Sequence, residues 1–378
     1  MSVQRGPLHI PELLNLTLSF VHARRDLRAC ALVSRAWVHP GQSRLFSSIN
    51  IHLIAQCEAL SAALETSSHL AAFVKTLVIR FDEDPQFFPL RRLAAVSFPH
   101  LTTLELVATT HEWMGAADVI APLLAIPSLI SVTVDPVIGT WDQLARMWDG
   151  CSANIRHLSC DLVIKSLAHV HVPPASDSVG MHKRIQLESF KSKAFPADSV
   201  SWLRDPRCPF SVRGLKALRI FFKIGQDLLD VLSPALDTIT IISFVAHGAR
   251  AHHLTHLRAV TQLDILNNWH AGLFHNFRMI RLMDPDVRNR ILAIRFQEEE
   301  FPQVDLPVLD TELSTLHEHF QHLRVVVLSL RPPENFNTQE VELFWKDFRA
   351  YRWNLDPSII VRCNSEVEPY IPWYTQML

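Results

Sequence analysis

The stretch Leu101-Thr102-Thr103-Leu104-Glu105-Leu106 decides the fold. An apolar anchor is followed by a short polar gap and then by alternation on a two-residue period, the pattern of a strand with one buried face. The same shape recurs at residues 73–79 before it and at 126–134, 154–160, 212–220, 235–241, 256–265 and 322–328 after it. Leu77, Leu104, Val132 and Leu158 hold equivalent positions at nearly even intervals, inside the period range of leucine-rich repeats. Helical patterns fill the intervals at 54–64, 113–125 and 141–148. One strand plus one helix per period predicts parallel strands on one side and helices on the other, an irregular α/β solenoid. An ordinary α/β domain with a parallel sheet shows similar alternation and is the alternative. The even spacing of four copies favours the repeats.

Further along, the pattern loosens. Val172-Pro173-Pro174-Ala175-Ser176-Asp177-Ser178 reads as a surface loop within the array, and Arg331-Pro332-Pro333-Glu334-Asn335 as another. Glu298-Glu299-Glu300 reads as a solvated face. Residues 341–351 read as a helix with Phe344, Phe348 and Tyr351 on one side. A solenoid core must be closed at its last repeat, so the region from about residue 298 suits a C-terminal cap on an array spanning 51–378.

Composition narrows the function classes. With 48% hydrophobic and 20% charged residues in 378, the chain can bury a large core. Its 10 glycines argue against phosphate-cradling loops. A net charge of −2 provides no basic field to hold nucleic acid. The six cysteines include no C-x-x-C pair, which points to reduced thiols in the cytoplasm or nucleus rather than a disulfide framework or zinc site. Residues 115–134 are apolar, but Asp118, Pro122, Pro127, Ser128 and Ser131 break them, so a helix followed by a strand is expected there and no membrane partner. The apolar run 13–21 behind Arg5 has a faint leader-like shape, interrupted by Pro11, Glu12 and Asn15.

Catalytic motifs are lacking. There is no G-x-S-x-G elbow, Walker loop or G-x-G-x-x-G. The densest histidine clusters, His252-His253 with His256 and His317-Glu318-His319 with His322, do not have the H-E-x-x-H order that sets two zinc ligands on one helix face around a glutamate. Neither catalytic, cofactor-binding nor metal-ligating residues are assigned, and a non-enzymatic role is expected. Of the tryptophans, Trp113, Trp141, Trp148, Trp202, Trp269 and Trp345 become candidate target anchors wherever they reach the strand face.

At the N-terminus the pattern is different. Pro11 suits the first position of a helix. Behind it Leu14, Leu18 and Val21 form one stripe and Leu13, Leu16 and Phe20 a second, so the apolar arc is wide. Asp26 is placed to cap a second helix through Leu27, Cys30 and Ala31, and Ser34 a third with Trp37 one turn in. Leu45 and Phe46 follow an expected loop at Pro40-Gly41. Three short helices in about 45 residues cannot bury a self-sufficient core, so something else must cover the remaining apolar surface. Arg5, Arg24, Arg25, Arg28, Arg35 and Arg44 outnumber Glu12 and Asp26, which would steer this module toward an acidic partner.

Read in order, Ile10-Pro11-Glu12-Leu13-Leu14, Asp26-Leu27 and Val33-Ser34-Arg35-Ala36-Trp37 resemble the F-box, whose pattern is L-P-x-E-(I/L)-L, then D-L, then V-(S/C)-(K/R)-x-W. Pro11 and Glu12 are adjacent here, one residue short of the family spacing. The resemblance implies a three-helix module over residues 1–50 that binds a Skp-type linker protein of a cullin–RING ubiquitin ligase. It implies Pro11, Leu13, Leu14, Leu27, Leu32, Val33 and Trp37 as core or contact residues. The array beyond it lacks the asparagine of the L-x-x-L-x-L-x-x-N pattern at nearly every copy. It resembles the degenerate leucine-rich repeats of F-box proteins common in basidiomycete fungi. Together these imply a substrate-recognition adaptor of an SCF-type ligase that presents an unknown protein target on its repeat region. A non-ligase repeat scaffold, and an α/β enzyme with a site assembled from distant residues, are the alternative readings.

Overall fold

The computed structural model describes residues 11–21, 23–81, 87–112, 117–138, 140–160, 163–164, 184–192, 202–205, 207–220, 230–245, 258–266, 277, 280–281, 283–297, 306–329, 339, 342–343, 346, 350 and 360–363. The chain forms two compact units, one of Met1–Leu187 with Ser201–Ser211, the other of Glu188–Val200 with Val212–Leu378.

In the first unit three helices, α1 (Pro11–Ser19), α2 (Arg24–Val33) and α3 (Arg35–Ser47), lead into a parallel ladder. The ladder runs β1 (Ser48–Ile51), β2 (Thr76–Phe81), β3 (Thr103–Glu112), β4 (Ser131–Ile138) and β5 (His157–Cys160), each strand paired with the next. A short β6 (Val163–Ile164) pairs with the end of β4, and β7 (Ile185–Gln186) pairs with β9 (Phe210–Ser211). Helices α4 (Ile54–Thr66), α5 (Phe87–Ala94), α6 (Ala117–Leu124) and α7 (Trp141–Trp148) occupy the crossovers and pack on one another in chain order.

The second unit repeats the scheme: β8 (Ser189–Ser192), β10 (Ala217–Ile220), β11 (Ile241–Val245), β12 (Gln262–Leu266), β13 (Ala293–Gln297), β14 (Val325–Ser329) and β15 (Ile360–Cys363) form one parallel ladder. Helices α8 (Pro285–Arg288) and α9 (Leu306–His319) lie between its later strands, and Arg288 donates to His319 Nδ1 at 3.0 Å. The fold is α/β with long parallel sheets and helical crossovers, compatible with a repeat-like solenoid.

The evenly spaced leucines explain the register. Leu77 pairs with Leu104, Leu104 with Val132 and Val132 with Leu158, and all four are buried. Two residues on, Ile79, Leu106, Val134 and Cys160 form a second buried row. Three residues before each first-row position sits a buried anchor: Val74, Leu101, Leu129 and Ile155. The second unit keeps the same offset, with Leu215, Ile239, Val260, Ile291 and Leu323 preceding Leu218, Ile242, Leu263, Ile294 and Val326.

Backbone hydrogen bonds fix where each strand begins. Thr102 and Thr103 both donate their N–H groups to the Lys75 carbonyl, and Ile130 and Ser131 both donate to Thr102. Arg156 and His157 converge likewise on Ile130, Lys216 and Ala217 on Glu188, Thr240 and Ile241 on Lys216. The series continues with Thr261 and Gln262 on Thr240, Leu292 and Ala293 on Thr261, and Arg324 and Val325 on Leu292. Side chains one residue before three of the anchors add to this. Ser128 Oγ donates to Leu101 O at 2.8 Å, Asn154 Nδ2 to Pro127 O at 2.8 Å and Thr238 Oγ1 to Leu215 O at 2.8 Å. Crossover helices start on side-chain acceptors as well: the Gln143 N–H donates to Thr140 Oγ1 while Gln143 Oε1 accepts from the Thr140 N–H, a capping box that opens α7 at Trp141.

The expected helices at 54–64 and 141–148 and the helix–strand order within 115–134 are present as α4, α7, α6 and β4. Several strands lie outside the expected copies: β1, β8, β13 and β15. The pattern at 235–241 is displaced, because its buried anchor is Ile239 rather than Leu236, and β11 starts only at Ile241. Past Gln297 the ladder continues through β14, over the expected copy at 322–328, and β15. The loops at 172–178 and 331–335 and the acidic run 298–300 lie outside the described residues, as does most of 341–351.

Leu104 is fully buried in mid-row, whereas Thr133 faces away from the core on the neighbouring strand. Leu104→Ala is expected to lower unfolding stability by about 2–5 kcal/mol in urea titrations, against less than about 0.5 kcal/mol for Thr133→Ala.

Candidate functional site

Among the described residues, two surfaces and one aromatic cluster are candidates for a functional role. The first surface is the N-terminal helical module. α3 packs against α1, α2 and the 3-10 turn Ser68–Phe73, so it joins the other two helices to the first repeat. His39 meets Phe73 edge-on at 4.9 Å, and Arg24 donates to Ser48 O at 2.8 Å. Of the two stripes on α1, Leu14 and Leu18 are buried, whereas Leu13, Leu16 and Phe20 are exposed. Leu27 is buried from α2, Trp37 is half-buried, and Leu32 and Val33 stand out at 86% and 68% exposure. The side chain of Pro11 lies outside the described residues, although its backbone opens α1.

The residues singled out in the sequence therefore separate physically. Leu14 and Leu27 hold the module together, and Leu13, Leu32 and Val33 are presented to solvent. Leu16, Phe20 (74% exposed) and Val38 join the exposed set. The second α1 stripe was the signal for Leu16 and Phe20. Arg24, Arg25, Arg28, Arg35 and Arg44 are all exposed around these apolar groups, and Arg5 lies outside the described residues.

Three local expectations change. α2 starts at Arg24 after Ala23, so Asp26 lies within its first turn, where its charge suits the helix N-terminus without capping it. Ser34 occupies the N-cap position of α3 but makes no cap hydrogen bond through its side chain. Pro40 and Gly41 form no loop: both are buried inside α3, which runs on through Leu45 and Phe46. The reason is close packing, since a Cβ at Gly41 would lie 2.9 Å from Ala31 Cβ on α2. Only glycine lets the two helices approach so closely. Gly41→Val is expected to destabilise the module by about 1–3 kcal/mol, read as earlier loss of helical circular dichroism on heating and faster proteolysis within residues 11–47.

The second surface is the strand face opposite the core rows. It mixes polar and charged residues with smaller apolar ones such as Val78, Ile241 and Val327. In the first unit it carries Arg80 and Glu105, paired at 2.6 Å, with Thr133 and Ser159. In the second unit one register row reads Lys191, Arg219, Ser243, Asp264 and Arg295 across β8, β10, β11, β12 and β13. Ser243 Oγ donates to Asp264 Oδ2 and Gln262 Nε2 to Oδ1, both at 3.3 Å, holding the carboxylate on the sheet.

Trp148 and Trp202 reach neither surface. Both are buried and pack with Phe210 in the first unit, with ring centroids 5.0–6.1 Å apart. Arg207 clamps the same region by donating to Asp142 and Asp205, each at 2.9 Å. Burial pushes the Asp205 carboxyl upward, and the Arg207 side-chain and backbone donors more than offset it, leaving its pKa lowered. These tryptophans are structural, not target anchors. Trp113, Trp269 and Trp345, and the side chain of Trp141, lie outside the described residues.

Histidine and cysteine add no reactive cluster among the described residues. No group of three His, Cys, Asp or Glu side chains is placed there to hold a metal ion. His252, His253 and His256, and the side chain of His317, lie outside the described residues, while His322 is exposed. Burial pushes the Cys57 thiol up to about 11 and those of Cys151 and Cys208 up to about 12. Folding thus holds these protons more tightly than the unfolded chain does. Their contribution to stability is full below the ordinary thiol range and is lost as pH rises toward 11–12. At pH 8 each is thiolate in only about one molecule in a thousand or fewer. Iodoacetamide at pH 8 is expected to leave all three unmodified in the native protein and to label them in urea, as read by peptide mass spectrometry.

No helix among the described residues is long and apolar enough to cross a membrane. No protein-family model matches the chain, and no curated protein does. A crystal structure of a Bacteroides fragilis protein, solved as a structural-genomics target, aligns over 85% of this chain and 76% of its own with a TM-score of 0.33 and 10% identity. So slight a likeness carries no argument.

Proposed function

We propose that the chain is a substrate-recognition adaptor of an SCF-type cullin–RING ubiquitin ligase, with an F-box over its first fifty residues and an irregular leucine-rich-repeat-like array beyond. One observation carries the reading: the N-terminal helices bury Leu14, Leu18 and Leu27 yet leave Leu13, Leu16, Phe20, Leu32, Val33 and Val38 in water. Burying a large apolar side chain is worth about 1.5–3 kcal/mol, so a module that leaves six exposed is built to have them covered by a partner. The exposed arginines around them fit an acidic one, and the Skp-type linker implied by the F-box resemblance is acidic.

In this reading α1 and α2 present the linker-binding groups, and α3 transmits their position to the first strand through its contacts with β1 and the Ser68–Phe73 turn. The repeat region holds the protein target, and catalysis comes from the ubiquitin-loaded enzyme that the ligase brings nearby. The adaptor acts by raising effective concentration. No side chain of this chain takes part in the chemistry. The anchors Leu101, Leu129, Leu215 and Leu323, each followed three residues later by a buried strand residue, support the leucine-rich-repeat assignment of the array.

The test uses the full chain and a recombinant Skp-type linker in gel filtration at micromolar concentration. Co-elution is expected. Leu32→Asp with Val33→Asp should weaken it at least tenfold while leaving the thermal midpoint unchanged, because both side chains are already in water. Absence of a complex with the unmutated protein overturns the adaptor reading and leaves a repeat scaffold.

A further inference from the structure

Five hydroxyl side chains belong to the N-terminal helices, and four of them are occupied or sheltered. Thr17 donates to Leu13 O at 2.8 Å, Ser19 to Leu16 O at 2.6 Å and Ser47 to Arg44 O at 2.9 Å, each within its own helix. Ser43 is half-buried inside α3. Ser34 differs from all of them. It is the single residue between α2 and α3, it is exposed, and its backbone is extended at φ −162° and ψ 164°. A serine at this position usually caps the helix that follows. Here the side chain makes no cap hydrogen bond, and the main-chain oxygen alone starts the helix by accepting from the Trp37 N–H at 3.0 Å.

The neighbours of this hydroxyl are apolar. Leu32 and Val33 come directly before it, and Val38 stands one turn beyond it on α3, all three exposed. A partner that covers Leu32 and Val33 therefore covers Ser34 as well.

We propose that Ser34 is a phosphorylation site that switches this surface off. The proposal rests on the adaptor reading for the identity of the partner. The step is a phosphoryl transfer from a nucleoside triphosphate, catalysed by a serine/threonine kinase. Ser34 Oγ bonds to the γ-phosphorus while the bond from that phosphorus to the β,γ-bridging oxygen breaks. The hydroxyl proton passes to the base of the kinase, and a nucleoside diphosphate leaves. Ser34 then carries a charge of about −1.5 to −2 at pH 7. Covering such a group with an apolar contact strips its water without replacing it, and an acidic partner meets it with the same sign. In the free module the phosphate has favourable surroundings, because α3 begins directly after it and the exposed Arg35 is its neighbour. Phosphorylation thus removes binding without loosening the helices. Linker binding and phosphorylation exclude one another, so the free chain is the kinase substrate and its phosphorylated form stays out of the ligase.

The test has two arms, both on the full chain. In the first, phosphoserine is installed at position 34 during translation, and binding of the recombinant Skp-type linker is titrated against the unmodified chain. The phosphorylated chain is expected to bind at least tenfold more weakly, with a thermal midpoint no lower, and phosphatase treatment should restore binding. In the second, the chain is incubated with labelled ATP and a panel of purified serine/threonine kinases, with and without saturating linker. Peptide mass spectrometry should find phosphate on Ser34, absent from Ser34→Ala and reduced at least tenfold by the linker. Equal linker binding with and without the phosphate, or loss of binding together with a lowered midpoint, overturns the proposal. So does a failure of every kinase to modify Ser34, or modification undiminished by bound linker. A complex that fails to form even with the unmodified chain overturns the adaptor reading instead.

Discussion

The structure depends on one repeated hydrogen-bonding arrangement: two successive backbone N–H groups at the start of a strand converge on a single carbonyl one turn earlier. It recurs from Lys75 to Leu292 at uneven intervals, so it tolerates a changing crossover length while fixing the strand start. Once the start is fixed, parallel pairing proceeds without slippage, and the two-residue period sends one set of side chains to the helices and the other to the opposite face. A slip of one residue would put Leu104 in water and Glu105 in the core. The anchor three residues before each first buried strand position reinforces this by filling the corner where the chain turns into the strand. Serine, threonine and one asparagine side chain, each one residue before an anchor, then satisfy carbonyls some 23–27 residues earlier in the chain.

That arrangement explains what could be read from the sequence. The four copies around Leu77, Leu104, Val132 and Leu158 were legible because their anchors, spacing and alternation all agree, and they pair in register. The strand Ser189–Ser192 was not, because a buried serine, Ser192, stands where the pattern calls for a second apolar residue. Ile291, Ile294 and Phe296 do carry the full pattern, but the stretch separating them from Val260 is longer than the interval between the early copies, which breaks the period. The strand Ser48–Ile51 was hidden by continuity with the helix before it, since α3 runs through Pro40 and Gly41 instead of stopping there. Glycine and proline usually punctuate helices. Here the requirement for close approach to Ala31 overrides that tendency.

The site residues show a similar division. The sequence pointed to Pro11, Leu13, Leu14, Leu27, Leu32, Val33 and Trp37 as one group, because apolar residues at helical spacing look alike whether they face a core or a partner. Only packing separates Leu14 and Leu27, which are buried, from Leu32 and Val33, which are not. The tryptophans make the converse point. Their size suggested anchors for a target, yet Trp148 and Trp202 serve as packing for the segment around Phe210. The polar row of the second unit was invisible in one dimension, because each member comes from a different strand with a whole crossover between it and the next, and only register brings them into line.

The two candidate surfaces also differ in how they can evolve, and the difference follows from the repeating bond. Residues on the core rows and the anchors are constrained by the close-packed interior, where losing a few methylenes costs several kcal/mol. Residues on the opposite strand face lie outside those rows, so a residue such as Thr133 can change without disturbing the rows beneath it. The N-terminal helices lack that freedom: α3 is locked between α2 and the first repeat, and Gly41 admits no larger side chain without moving Ala31. A closely packed helical module that presents apolar side chains, together with a strand face free to vary, is the combination that the proposed adaptor role calls for.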